Sequence, residues 1–242
     1  MTMHVRSVRR FNSEIHRPSG IGSWRLLYLS FIAALDVQSV VELGSGDPAF
    51  LIALPSSLRR VALDGSDSFQ HDFSDHGIEF YTFDFDNESP PVPLKNFDVA
   101  VCSDVFEHLL YPERSLDLLF AMLARGGILF SHVPNEFHYK KTIRAMMGWT
   151  NSVYFHDHCE DWNNPHLRRF TDLGFRRFLE RRFHYNLRIT DLKYSRLTRV
   201  ANRLGFRVPY CLEKGPTYAS TNSEETFYKL VGIKAHLGSV AR

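Results

Sequence analysis

The chain is short of the features that mark secreted, membrane-bound or fibrous proteins. Its 242 residues contain three cysteines, Cys102, Cys159 and Cys211, an odd number set far apart. No disulfide framework follows from that pattern, so a reducing compartment is expected, and the cytoplasm is the simplest location. Long apolar runs are missing too. The longest, Leu26 to Leu35, is interrupted by Ser30 and is too short to cross a bilayer. The basic start, Met1 to Arg10, is not followed by an apolar core and small-residue cleavage site, so it does not read as a secretory signal. Charge of one sign is missing as well: 29 basic residues balance 27 acidic ones. That gives no global argument for nucleic acid or an anionic membrane as partner. The arginines cluster locally at Arg168, Arg169, Arg176, Arg177, Arg181 and Arg182, where a solvated helix face is the expected reading. Repeats and low-complexity tracts do not occur.

What is present centres on Ser39 to Phe50. The β-branched Val40 and Val41 suit a buried strand. Glu42 ends that apolar run, and Gly44 and Gly46 allow a tight turn into which a ligand can approach the backbone. Pro48 fits a first helical turn. The stretch reads as strand, glycine loop, helix: a nucleotide-type site at the C-terminal end of a first strand. Upstream, residues 1–20 look irregular, and Ser23 to Leu35 reads as a helix packed on the sheet.

Downstream, the spacing predicts strands at Arg60–Leu63, Ile78–Phe83, Phe97–Cys102 and Ile128–Val133. Helices alternate with them, including one from about Pro112 to Ala124. Gly126-Gly127 is read as the break before the fifth strand. This rhythm predicts an α/β fold, Rossmann-like and doubly wound, on a mostly parallel seven-stranded sheet. A late helix is expected at Thr171–Phe183, capped by Thr171 or Asp172. A sixth strand is expected at Tyr185–Thr190 and an antiparallel seventh at Glu225–Ala235. Residues 21–242 are expected to form one domain. Residues 136–170, rich in aromatics and histidine, would be a lid inserted after the fifth strand to bind the acceptor.

The first four strands each carry an acid at or just after the end: Glu42, Asp64, Asp84 and Asp104. Strand ends face the ligand crevice in such a sheet, so four carboxylates line one edge. Any one could instead cap a helix. The loop also satisfies a loose dinucleotide fingerprint, Gly44-x-Gly46-x-x-Ala49, with Asp64 18 residues after Gly46. Glu42 argues against that ligand, because a carboxylate there repels a diphosphate but welcomes a cationic ligand end. Asp84 with Phe85 offers an acid to an adenine amine and an aromatic wall to its ring.

These residues resemble the class I S-adenosylmethionine-dependent methyltransferases, in the small-molecule branch that includes ubiquinone and glycan O-methyltransferases. The resemblance runs from about Val40 to Asn135. It rests on Glu42 to Gly46, Asp64, Asp84, the block from Phe97-Asp98 to Glu107-His108-Leu109, and the block from Leu123 to Asn135. Pro165 to Thr171 resembles a segment before the late helix of that branch. The resemblance implies S-adenosylmethionine as cofactor. Gly44, Ser45 and Gly46 would lie under its methionine part, with Glu42 ordering the loop. Asp64 and Gly65 would meet the ribose, Asp84 and the Phe85 N–H the adenine, and Ser103 or Asp104 the methionine end. Gly65-Ser66 departs from the bulkier residue many relatives carry there.

The expected reaction is in-line methyl transfer to a small-molecule or glycan acceptor at oxygen, helped by a base. His108 and His132 are the candidate catalytic residues. His156, His158 and His166, with Trp149 and Tyr154, are candidates for acceptor binding. Asp104, Glu107 and His108 would share a face at i, i+3 and i+4 if that turn is helical. Ubiquinone-type relatives can hold a divalent metal on such an acid–acid–His set, although a metal is not the favoured reading here. His156-Asp157-His158-Cys159 lacks a second ligand pair at a diagnostic spacing. Two other readings remain: a protein that binds S-adenosylmethionine as a partner or scaffold without turnover, and a nicotinamide-dependent oxidoreductase. The oligomeric state and the acceptor's identity are not encoded in any motif found.

Overall fold

The computed structural model describes residues 21–135, 138, 143, 146, 147, 166–189 and 215–240. It places seven strands in one sheet: β1 Ser39–Leu43, β2 Arg59–Asp64, β3 Glu79–Thr82, β4 Phe97–Ser103, β5 Leu123–His132, β6 Tyr185–Arg188 and β7 Thr217–Thr221. The order is β3-β2-β1-β4-β5-β7-β6. β1 to β5 pair in parallel, and β7 runs antiparallel to both β5 and β6. The α-helices among the described residues are α1 Ser23–Ile32, α2 Ala49–Ile52, α3 Gln70–Asp75, α4 Pro112–Met122, α5 Asp172–Leu179 and α6 Glu224–Val240. No described helix is long and apolar enough to cross a membrane.

Strand periodicity divides the core in two. Val41, Leu43, Val61, Leu63, Ala100, Cys102 and Leu129 pack on one face with residues of α4 and α5. Val40, Ala62, Val99, Val101, Ile128 and Phe130 pack on the other with residues of α1, α2, α3 and α6. Alternate residues of a strand point to opposite faces, so central strands covered by helices on both sides read as nearly continuous apolar runs. The expected doubly wound fold is therefore what forms.

Polar side chains fix the register at the lower edge. The Asp98 carboxylate accepts from the Gln38 N–H (2.8 Å), the Ser39 N–H (3.0 Å) and the Ser39 hydroxyl (2.9 Å), and Ser39 Oγ accepts in turn from the Asp98 N–H. This box locks the start of β1 to the start of β4. Asp86 accepts from the N–H groups of Leu110 and Tyr111, tying the loop after β3 to the start of α4.

The structure corrects two strand expectations. Residues 225–235 are not a strand but the middle of α6, and β7 lies earlier at Thr217–Thr221. The start of that helix carries helical signals: Ser223 Oγ accepts from the Thr226 N–H, and Glu224 and Glu225 occupy the first turn. The second correction is at β5, which begins at Leu123, so Gly126-Gly127 lies inside the strand. Phe97 pairs with Leu123 and Val99 with Ile128, so the register shifts there, and Gly126 supplies the positive φ of 82° within the irregular stretch.

The arginines at the end of α5 are partnered by acids of α4. Arg182 forks onto Asp117 (2.6 and 2.9 Å), and Arg181 reaches Glu113 (2.8 Å). These exposed pairs contribute little stability each. More depends on the α5 cap, where Thr171 Oγ1 accepts from the Gly174 N–H (3.0 Å). That cap orients a helix whose Phe175, Phe178 and Leu179 are buried. Thr171→Ala is expected to lower unfolding free energy by about 1 kcal/mol. Urea denaturation followed by circular dichroism measures this, and an unchanged midpoint would show the cap to be dispensable.

Candidate active site

The site lies along the C-terminal ends of β1, β2 and β4, which Trp24 and Arg25 reach from the first turn of α1. At the end of β1 the chain turns through Gly44 (φ 70°), Ser45 and Gly46 (φ 58°). The Gly44 N–H donates to the Leu63 carbonyl (2.7 Å). The buried Ser45 hydroxyl braces the loop from within, donating to the carbonyls of Glu42 (3.2 Å) and Leu63 (3.4 Å). A Cβ on Gly44 would stand 2.2 Å from Val105 Cγ2. Only glycine therefore meets both the backbone angle and the space.

Asp64 closes the loop against β2. One carboxylate oxygen accepts from the Gly46 N–H (2.8 Å) and the other from the Ser66 N–H (2.9 Å), with Gly65 between them in sequence. Asp84 accepts from the Asp86 N–H (3.0 Å) and from Asn87 Nδ2 (2.8 Å). The Phe85 ring is buried in the core, edge-on to Phe83 at 4.9 Å between centroids. The expected aromatic wall for the adenine is thus part of the core packing.

Glu42 is buried at the end of β1, and its partner comes from outside the motif. Arg25 of α1 brings Nη2 to 3.1 Å from Glu42 Oε1, and its aligned hydrogen bond goes to the Ser45 carbonyl (3.2 Å). Burial works against the charged guanidinium, but Glu42, Asp47 and Asp104 outweigh it and raise the Arg25 pKa. Burial in turn pushes the Glu42 carboxyl up to about 7, against the lowering pull of Arg25. The sequence does hold a signal for Arg25. It is the one charged residue in the otherwise apolar stretch Ser23 to Leu35, and such a residue needs a buried partner.

Beyond β4 the candidates separate into two groups. Asp104 takes a left-handed conformation (φ 56°), and its N–H donates to the His132 carbonyl (3.1 Å). Its side chain is 38% exposed, with Oδ1 3.7 Å from His132 Nε2. The His132 ring is enclosed, stacked on Trp24 at 4.5 Å, with Nδ1 2.9 Å from Thr217 Oγ1. Burial lowers its pKa, against the raising effect of Asp104. Ser103 donates to the Tyr28 hydroxyl (3.3 Å) behind this pair. Trp24 and Thr217 are further site residues that no motif marks; Thr217 carries no signal at all, because β7 itself lies where the sequence pattern does not put it.

The second group forms on the turn that follows. Phe106–His108 is a single 3₁₀ turn and not an α-helix. The expected i, i+3, i+4 face of Asp104, Glu107 and His108 is therefore not formed. Glu107 is buried, and its Oε1 lies 3.8 Å from His108 Nε2. The His108 ring meets His166 edge-on at 4.8 Å between centroids. Among the described residues, the ligand atoms of Glu107, His108 and His166 lie within 4.8 Å of one another, and Asp104 is not part of that group. Arg168 fastens the His166 segment here: its N–H donates to the Glu107 carbonyl, and its guanidinium donates to the carbonyls of Leu109 and Leu110. Trp149, Tyr154, His156 and His158 lie outside the described residues, as does most of the expected lid.

Glu42 makes stability fall with rising pH. Burial pushes the folded carboxyl up to about 7, whereas in an unfolded chain such a group titrates at about 4.3. Between those values the folded state holds a proton that the unfolded state has lost, so stability declines as pH rises through the window. Glu42→Gln should flatten that slope, read from urea midpoints between about pH 4 and 7. A slope that persists in the variant would assign the titration to another group.

Comparisons with known proteins agree with this arrangement. A family model described as a methyltransferase domain matches residues 13–179, more than half of the chain. A search of curated proteins returns no match. Among solved structures, an S-adenosylmethionine-dependent methyltransferase from Thermotoga maritima superposes with a TM-score of 0.58 at 18% identity. It covers 91% of this chain and 100% of its own. The N-methyltransferase NodS from Bradyrhizobium japonicum, solved with S-adenosylhomocysteine, gives 0.56 at 15% identity, covering 92% and 100%. At such identities the likeness establishes the fold, and the family match adds the activity. The chain belongs to the methyltransferase-domain family and is a class I, S-adenosylmethionine-dependent methyltransferase.

Proposed function

We propose that the chain moves the methyl group of S-adenosylmethionine to a hydroxyl of a small-molecule or glycan acceptor. The observation that carries the donor assignment is the row of acids at the strand ends with Arg25 set among them. Its chemistry suits each part of the cofactor. A carboxylate accepts at about four lone-pair positions, so Asp64 can be pinned by Gly46 and Ser66 and also accept from a ribose diol. Asp84 and the Phe85 N–H take the adenine, with Gly65 alongside the ribose. Gly44, Ser45 and Gly46 pass under the amino-acid end. Arg25 takes its carboxylate and Glu42 faces its ammonium. Ser103 and Asp104 border the methyl. Residues 21–242 act as one methyltransferase domain, and residues 136–170 contribute to acceptor binding.

Bound S-adenosylmethionine supplies a methyl group on a positively charged sulfur. The protein's part is to hold an acceptor oxygen in line with the C–S bond and to take its proton. An oxygen lone pair forms the new C–O bond while the C–S pair returns to sulfur. His132 is enclosed between Trp24 and Thr217, so it acts behind Asp104, whose partly exposed carboxylate receives the proton.

Calorimetry with S-adenosylhomocysteine tests the donor half. Wild type should bind, Asp64→Ala should abolish binding, and Arg25→Ala should weaken it by about tenfold or more. Arg25→Ala should leave 5′-methylthioadenosine, which lacks the amino-acid end, unaffected. Absence of S-adenosylhomocysteine binding to the wild type would sink the reading. Equal losses for both ligands would remove Arg25 from the carboxylate. Formation of S-adenosylhomocysteine against a panel of hydroxyl and amine acceptors then tests the oxygen assignment.

A further inference from the structure

The acid–acid–His arrangement that a divalent metal uses in ubiquinone-type relatives does not assemble here. Asp104 is drawn to His132 on one side of the turn after β4, and Glu107 and His108 lie on the other. We infer that Glu107 and His108 join His166, from a segment much further along the chain, to form a different site: a centre of two histidines and one carboxylate for a zinc-class divalent ion.

The donor set carries the chemical class. Two imidazoles and one carboxylate suit Zn2+ or Co2+, whereas Mg2+ takes oxygen ligands in near-ideal octahedra. The same two-histidine, one-glutamate combination leaves a fourth tetrahedral position open to water or a ligand oxygen. The geometry is within reach. In a tetrahedral centre with bonds of about 2.1 Å, ligand atoms stand about 3.4 Å apart. Here they lie within 4.8 Å of one another before any ion draws them in. Side-chain rotations of under about 1 Å at each ligand atom close that gap.

Burial and support point the same way. Glu107 has only 1% of its side chain exposed, so its carboxylate faces the two imidazoles with little competition from water. The two histidines are half-buried next to it, and the imidazole nitrogen is the commonest protein ligand for such ions. The 3₁₀ turn presents Glu107 and His108 side by side, with the His108 N–H on the Val105 carbonyl (2.9 Å). Arg168 holds the opposing segment through the carbonyls of Glu107, Leu109 and Leu110, so all three ligands sit on a braced backbone. Any use of the ion toward an acceptor oxygen rests on the methyl-transfer reading; the site itself does not.

Metal-stripped protein titrated with Co2+ tests this. Visible absorption should report one equivalent bound in a low-symmetry, tetrahedral environment, displaced by Zn2+ and not by excess Mg2+. His108→Ala and His166→Ala should each weaken Co2+ binding by about tenfold or more, and the isosteric Glu107→Gln should do the same. Asp104→Ala should leave it unchanged. The far-UV circular dichroism and the thermal midpoint of each variant show that it is folded. Co2+ binding that survives both histidine variants would place the ion elsewhere and overturn the site, as would an equal loss in Asp104→Ala. Wild-type protein that binds S-adenosylhomocysteine and no Co2+ would overturn the site while leaving methyl transfer standing.

Discussion

The contact between Arg25 and Glu42 ties α1 to the end of β1 and governs the charge there. Glu42 is buried at the end of a central strand, with Asp47, Asp64 and Asp104 close enough for their charges to matter to the pair. Burying that much negative charge is costly unless a cation shares the space. Arg25 supplies it from α1, which the burial of Leu27, Tyr28, Phe31 and Ile32 fixes on the sheet face. From the same helix Trp24 stacks on His132, and Tyr28 packs on Phe50 and Phe130. One cation in an apolar helix thus offsets the acids at the end of β1, next to the Trp24 ring that covers His132.

The pair also changes the argument that first points to the donor. From its sequence position Glu42 is an uncompensated acid that would repel a diphosphate. Arg25 neutralises much of that charge, so Glu42 alone excludes less than its position suggests. An acid after β2 suits the ribose of a dinucleotide or of S-adenosylmethionine, and a guanidinium beside the glycine loop suits an anion, so the strand-end residues do not separate the two. The family match over residues 13–179 does.

The fold is legible in the sequence where structure is local. Strands β1 to β4, the glycine loop and the acids at the strand ends each follow from a handful of adjacent residues, and a parallel sheet turns that local order into one edge of a site. Legibility ends where the outcome depends on distant partners. Residues 225–235 have enough apolar character to pass for a strand, and only the Ser223 cap and the acids behind it declare a helix. A shared helical face of Asp104, Glu107 and His108 requires α geometry across Val105. The left-handed Asp104 and the 3₁₀ turn break it, and neither is written in the spacing. Thr217, His166 and Arg25 reach the site from segments far from the residues they touch. No single-sequence pattern pairs them.

That break at Val105 links the two halves of the site. Val105 fills the space a Cβ on Gly44 would need, so the donor loop and the turn after β4 are in direct van der Waals contact. The same turn sends Asp104 toward His132 and Glu107 with His108 toward His166. A side chain at Gly44 would therefore do more than crowd the cofactor. It would press on Val105, the residue between Asp104 and the 3₁₀ turn. The glycine is fixed by packing against that turn as much as by its own backbone angle, so the loop and the turn can only shift together.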